Sequence, residues 1–362
     1  MRIYLPRQLK VILVVGLAMI VGASGCAHAQ PSEIRSLFET LEVGEAVSYE
    51  NLTIIPIYDR NSSNWCIYTT LDQALSNGWL DIVELNRASV PQVRVTNRSN
   101  NFVFLMGGEI ISGGRQDRVI ARDVLLSPRV RNVNVPVYCT EQNRWNQQTT
   151  KFYSKNNLGT WKIRATSQYA PAGAQTTIWS DISTSLNNLG VRSRTGAYQS
   201  AYEQKGVRDE IRRHEQHFSA VPQFRNDAVG VVIAVGPTII SADIFGSPQL
   251  FRQLWPKILK SAALSAINER RVGRIDSHAA VAFLNNIYQA GYRSHFAINA
   301  GREYSAFDYG VNVKALAFRN TVLHLAAFPQ GIMNYTYPAH SSFPPEHRMP
   351  VIRGGYQRSL YR

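Results

Sequence analysis

No apolar run long enough to cross a bilayer follows the first 25 residues of this 362-residue chain, and no internal repeat divides it. A bundle of membrane helices and a repeat array are thereby excluded. Basic residues outnumber acidic ones, 39 Lys and Arg against 25 Asp and Glu, but they are dispersed and never form a run. The formal charge of +14 therefore speaks for solubility or for contact with anionic envelope surfaces, and no nucleic-acid partner is expected. Three glycine pairs occur, Gly107-Gly108, Gly113-Gly114 and Gly354-Gly355, but none leads into Gly-Lys-Ser/Thr. A phosphate loop is excluded, and turns or bulges are the expected use of these glycines. His214-Glu215-Gln216-His217 lacks the zinc-protease spacing and a third ligand, so it reads as solvated helix surface with no metal.

Cysteine is scarce too, with three residues at positions 26, 66 and 139. The first belongs to the N-terminal leader. Arg2, Arg7 and Lys10 form a basic segment, residues 11–21 an apolar core, and small residues follow, as in a secretory signal peptide. Ala23-Ser24-Gly25-Cys26 resembles a bacterial lipobox with Ala where Leu is commoner, which implies signal residues 1–25 and a diacylated Cys26 at the mature N-terminus. Ala27-His28-Ala29 offers a competing site for soluble periplasmic release. Both readings export the chain, and loss of the three leader cations leaves +11. In an oxidising compartment the remaining Cys66 and Cys139 are expected to pair as a disulfide. No His-Asp arrangement beside Cys139 argues for a nucleophile instead.

What the sequence does have is a dense central stretch, residues 102–145, in which apolar runs alternate with Gly107-Gly108-Glu109, Gly114-Arg115-Gln116-Asp117-Arg118 and Cys139-Thr140-Glu141-Gln142-Asn143-Arg144-Trp145. A charge near a core costs several kcal/mol unless paired, solvated or ligand-bound. Two uses are open. Glu109 and Glu141 are candidate acid and base, with Gln116, Arg118 and Arg144 holding a phosphate or carboxylate and Trp145 stacking on a base or sugar. Alternatively the same groups form a structural network of arginines and carboxylates joining two hairpins.

Patterning around this stretch predicts an α+β fold with a β-rich first half (43–165) and a mixed second half (176–330). Helices are expected at 32–41, at 71–77 behind a Thr70 cap, across 198–218, from 248 to about 271 behind a Ser247 cap, and from 278 to 290 behind a Ser277 cap. Strands are expected at 52–58, with Pro56 favouring a sheet edge, and at 80–85, 119–126, 133–138, 227–235, 238–245, 311–318 and 322–328. The segments 91–96 and 102–106 flank a polar loop of hairpin composition. Residues 147–174 read as an exposed excursion or lid with one strand at 161–164. His324, on an apolar strand, reads as a satisfied core residue. The tail 331–362 has no period and is expected to be irregular.

Further blocks carry a resemblance. Val43-Gly44-Glu45, Tyr49-Glu50-Asn51-Leu52-Thr53, Thr70-Leu71-Asp72-Gln73-Ala74-Leu75 and Val135-Pro136-Val137-Tyr138-Cys139-Thr140-Glu141-Gln142-Asn143-Arg144-Trp145 resemble the ARG and Rhodanese-Phosphatase-superfamily-associated protein domain family, itself uncharacterised. Gly230-Val231, Asp243-Ile244-Phe245 and Leu254-Trp255 extend the likeness to about residues 40–330, one domain. Asp117 stands where the family pattern has Asn, and Asn143 where it has Gly. The name implies an association with ADP-ribose-related and phosphatase-like neighbours, and fixes no reaction. The expected function is binding of an anionic or nucleotide-like small ligand, with a glutamate-pair hydrolase and an envelope scaffold as alternatives; no cofactor is indicated.

Overall fold

The computed structural model describes residues 30–62, 68–85, 91–144, 149–169 and 173–330. Helix α1 (Ser32–Phe38) leads into short strands β1 (Leu41–Val43) and β2 (Val47–Tyr49), both laid on β3 (Leu52–Asp59). Then come β4 (Thr69–Thr70), α2 (Leu71–Ser76), β5 (Leu80–Glu84), β6 (Gln92–Asn97), β7 (Val103–Leu105) and β8 (Glu109–Gly113). Strands β9 (Arg118–Ile120), β10 (Val124–Leu126), β11 (Val133–Cys139) and β12 (Phe152–Leu158) complete the β-rich half. The mixed half opens with α3 (Trp161–Tyr169), α4 (Ala174–Asn188), α5 (Gln199–Glu203) and α6 (Lys205–Phe218). The hairpin β13 (Ala228–Val235) and β14 (Thr238–Phe245) follows, then α7 (Pro248–Glu269) and α8 (Ser277–Gln289). Strands β15 (Arg293–Phe296), β16 (Arg302–Asp308), β17 (Val311–Phe318) and β18 (Thr321–Pro329) close the described chain. The fold is α+β, as the pattern predicts.

Three sheets result. The largest runs β1-β3-β13-β14-β18-β17-β16-β15, with β2 also on β3; a second runs β10-β7-β4 and a third β12-β8-β9-β11-β6-β5. Period-two alternation explains the layering. Leu52, Ile54 and Tyr58 of β3, with Val231 and Ile233 of β13, face α7 and Phe104 of the second sheet. Ile55, Ile57, Val229 and Val232 point the other way, onto α1 and α8. A third core fills the space between the second and third sheets, and a fourth packs α4, α5 and α6 against Ile110 and Val119. Helix α7 is buried along most of its length and borders the first and last of these cores.

Local signals account for much of this. Thr70 Oγ1 accepts Gln73 N–H while Gln73 Oε1 accepts Thr70 N–H, a capping box, and Ser247 caps α7 with Pro248 at its first position. Six expectations are corrected. Pro56 lies on a strand paired on both sides, yet its carbonyl accepts Gly44 N–H at 2.8 Å, so its missing donor faces the gap between β1 and β2 and costs no ladder bond. The segments 91–96 and 102–106 form no hairpin: β6 and β7 belong to different sheets, and Asn97 folds the loop by donating to Asn101 O and Ser127 O. Residues 119–126 break into β9 and β10, again in two sheets, around Asp123. The excursion is instead the edge strand β12 followed by a buried helix, α3, where a strand was expected at 161–164. The helix expected across 198–218 breaks at Gln204, whose side chain caps α6 by accepting Val207 N–H at 2.6 Å. Asp276, rather than Ser277, caps α8.

Candidate functional site

Strands β8, β9 and β11 carry the central charged residues, and antiparallel pairing brings the loop after β8 against the end of β11. Gly113 and Gly114 turn the chain there with φ of 125° and 53°, values that favour glycine. Their carbonyls accept from the Arg144 guanidinium, Gly114 O at 3.0 Å. Arg144 also donates to Glu141 at 2.6 Å and to Asp117 at 3.0 Å. Asp117 in turn accepts from Ser112 Oγ and Gly113 N–H, and burial pushes its carboxyl up despite these donors. All three charged side chains are buried. Gln116 is fully buried and donates to Gln142 O, while its Oε1 finds no partner among the described residues. Arg118 pairs with Glu84 at 2.9 Å and reaches Cys139 Sγ. Arg115 is half exposed, 3.9 Å from Glu84. Trp145, Cys26 and Cys66 lie outside the described residues, and with them the stacking face, the lipidation site and the disulfide partner of Cys139.

Glu109 belongs to a different cluster. At the start of β8 it accepts Met106 N–H at 2.8 Å and the Lys257 ammonium at 2.5 Å, and Lys257, 1 % exposed, also pairs with Asp72. Burial pushes the Glu109 carboxyl up to about 7, against the pull of Lys257. Glu109 and Glu141 therefore have no common partner among the described residues. The geometry does not bring the expected acid and base together.

A third network lies between α3, β14 and β18. Arg164 donates twice to Asp243, at 3.0 and 2.5 Å; His324 bridges Asp243 at 3.1 Å and Asp123 at 2.6 Å; and Asp123 accepts Gly107 N–H at 2.7 Å. His324 is fully buried, and its two carboxylate neighbours raise it to about 9. Asp243 is held well below the usual carboxylate range, burial being outweighed by Arg164 and His324. The pair Gly107-Gly108 permits this: a Cβ on Gly108 would sit 2.5 Å from Arg164 Cγ, and φ there is 100°. His324 is the satisfied core histidine expected, whereas Arg164, Asp243, Asp123, Asp72 and Lys257 carry no signal in residue pattern that marks them as partners. The other histidine expectation is corrected in part. His217 is exposed and stacks on Tyr49, but His214 is 1 % exposed, edge-on to Tyr49 with Nδ1 3.0 Å from Glu210 O.

Two openings lie elsewhere, both at the C-terminal end of α7. One, of about 170 Å³, is lined by residues of α3, α4 and the end of α7. The other is a cleft of about 820 Å³ bounded by Glu50, Asn51, Glu210, Arg213 and the segment 270–274. Arg213 lies 3.7 Å from Glu210, and Arg271 binds Thr238 and Glu269. Arg270 and Arg274 are exposed and enter no ion pair among the described residues. Neither opening is lined by Glu109, Gln116, Arg118, Glu141 or Arg144. Among the described residues no cluster of three or more His, Cys, Asp or Glu is placed to hold a metal, and no helix is long and apolar enough to cross a membrane.

No curated protein and no solved structure matches the chain. A family model does, over residues 40–328, nearly the span on which the sequence blocks carry their likeness. The chain belongs to the ARPP-1 family, the ARG and Rhodanese-Phosphatase-superfamily-associated Protein domain.

Proposed function

We propose that this protein binds a small anionic ligand in the cleft at the end of α7, and that its central charged residues serve to hold the three sheets together. The observation that carries the reading is the pair Arg270 and Arg274, two guanidiniums that enter no ion pair among the described residues and face a cleft that Arg213, Arg271, Glu50 and Glu210 also line. A volume of about 820 Å³ suits a drug-sized or nucleotide-sized ligand. Guanidinium forks match carboxylate and phosphate oxygens bidentately. Four of the five N–H donors of Arg144, by contrast, are taken by Glu141, Asp117 and two carbonyls, which leaves it no bidentate fork for an incoming anion. The sequence reading of an anionic or nucleotide-like ligand is kept, with the site moved to other residues. A Glu109–Glu141 hydrolase draws no support from the geometry.

Calorimetric titration with ADP-ribose, AMP, citrate and inorganic phosphate tests the site. The double variant Arg270→Ala/Arg274→Ala is expected to lose at least tenfold in affinity for whichever anion binds the wild type, and the wild-type affinity is expected to fall as salt rises. Equal affinity in the variant would refute the assignment.

We infer further, from the leader alone, that the chain is exported and held at the membrane by lipid on Cys26. Radiolabelled palmitate is expected to enter the wild type and not Cys26→Ala; labelling of neither, with a soluble product starting beyond residue 29, would establish periplasmic release.

A further inference from the structure

The smaller opening lies between α3, α4 and the end of α7, and its wall is Thr160, Lys162, Asp181, Thr184, Ser185, Asn188, Asn268, Glu269 and Arg271. Three of its polar atoms are buried without a hydrogen bond among the described residues: Ser185 Oγ, Asn268 Oδ1 and Glu269 Oε2. Ser185 is 4 % exposed and the Glu269 side chain 7 %. The other Glu269 oxygen accepts Trp161 Nε1–H at 2.8 Å, and Oε2 lies 3.0 Å from Arg271 Nη2 without hydrogen-bond geometry. Asp181 has no hydrogen bond among the described residues and feels one cation, Lys162. Buried polar groups are ordinarily paired, and leaving one unpaired costs about 1–3 kcal/mol.

The chemistry of the orphans restricts what fits. Glu269 Oε2 has Arg271 beside it; of the other two, Asn268 Oδ1 only accepts and Ser185 Oγ is a hydroxyl, so the occupant must donate hydrogen bonds, as an ammonium does. Lys162 and Arg271 stand on the same wall, the first 3.5 Å from Glu269, so two cations already balance the two carboxylates. An added net charge of either sign would be left uncompensated. A bare divalent ion is disfavoured for the same reason. Water alone would need on the order of 10–15 Å³ per site, so a space of about 170 Å³ accommodates a molecule of roughly ten heavy atoms.

We propose that this opening is a binding site for an amino-acid zwitterion, its ammonium on Asp181, Ser185 and Asn268 and its carboxylate on Lys162 and Arg271. The site is separate from the anion cleft and does not rest on it, although Arg271 lines both. Ionisation of Asp181 adds a pH signature: burial pushes its carboxyl up to about 6, so the ammonium loses its partner as pH falls through that value.

Full-length protein is titrated with the twenty L-amino acids, with propylamine and propionate as half-ligands and Mg²⁺ and Ca²⁺ as metal controls, following binding by calorimetry and the unfolding midpoint. At least one amino acid is expected to bind, both half-ligands at least tenfold more weakly, with affinity rising between pH 5 and 7. Asp181→Asn is expected to weaken binding at least tenfold and to abolish the pH dependence, while its ligand-free unfolding midpoint stays level or rises. Lys162→Met is expected to weaken the amino acid but not propylamine. No binding by any amino acid, tighter binding of a metal than of every amino acid, or affinity unmoved by both substitutions would each overturn the proposal. The anion cleft is read independently, since Arg270→Ala/Arg274→Ala is expected to leave amino-acid affinity unchanged.

Discussion

Arg164→Met is expected to lower the unfolding free energy by about 3–5 kcal/mol, because it removes half the countercharge of a carboxylate that cannot reach water. Asp243 is fully buried, and without Arg164 its side chain keeps only His324 among the described residues. The same network sets how stability depends on pH. His324 has a folded value of about 9 against an ordinary 6.5, so its stabilisation is fully present below about pH 6.5 and is lost as pH rises through 9. A difference of that size corresponds to about 3 kcal/mol. Asp243, held low, acts in the opposite direction, its contribution disappearing only as pH falls through the acid range below its ordinary 3.8. Denaturant unfolding of the wild type between pH 6 and 10 is expected to show the alkaline loss, and His324→Gln to be less stable at neutral pH with that limb flattened. An unchanged limb in His324→Gln would assign it to another group.

The second large effect is expected at Lys257. Replacing it by Met strands Glu109, which among the described residues keeps only Met106 N–H, in a site with no access to solvent. A loss of about 3–5 kcal/mol is expected at pH 8. Glu109 titrates near 7 even with Lys257 in place, and without it the carboxyl rises further and takes up a proton. A raised acid stabilises the fold below its unfolded value near 4.5 and loses that contribution as pH rises through the folded one. The deficit of Lys257→Met should therefore shrink markedly at pH 5. Combining it with Glu109→Gln should recover part of the loss at pH 8, a coupling that a double-mutant cycle measures. Equal deficits at both pH values would show that the ion pair is not what the substitution breaks.

How far these features could be read from residues follows from what each one looks like locally. The mostly apolar run of β3, the turn between β13 and β14, the Thr70 cap and the Ser247-Pro248 start of α7 are signals of one strand, turn or helix end, and each is found where the pattern places it. Trp161-Lys162-Ile163-Arg164 alternates like a strand over four residues, too few to separate the two periods; α3 is fixed instead by Gly107, Gly108 and Gly159, which let it approach the sheets closely. Lys257 reads as a solvated position on α7 because its partners, Asp72 and Glu109, stand more than a hundred residues earlier. The central stretch was legible as a place where charges must pair, but not as two separate places. Glu109 and Gly113 open and close β8, and at about 3.3 Å per residue a strand of that length sets its ends about 13 Å apart. Proximity in sequence thus joined two carboxylates that the sheet keeps in separate networks.

The charges of this chain divide into those that hold it together and those that face a ligand, and thermal unfolding of three full-length proteins separates the two roles. Wild type, Arg144→Ala and Arg270→Ala/Arg274→Ala are melted with and without the anion that titration selects, at about 100 times its dissociation constant, where binding adds about 2.7 kcal/mol. Arg144→Ala should melt several degrees lower than wild type and still rise on adding the anion. The double variant should melt with wild type and not rise. A ligand response lost in Arg144→Ala but kept in the double variant would contradict the account and return the site to the central stretch.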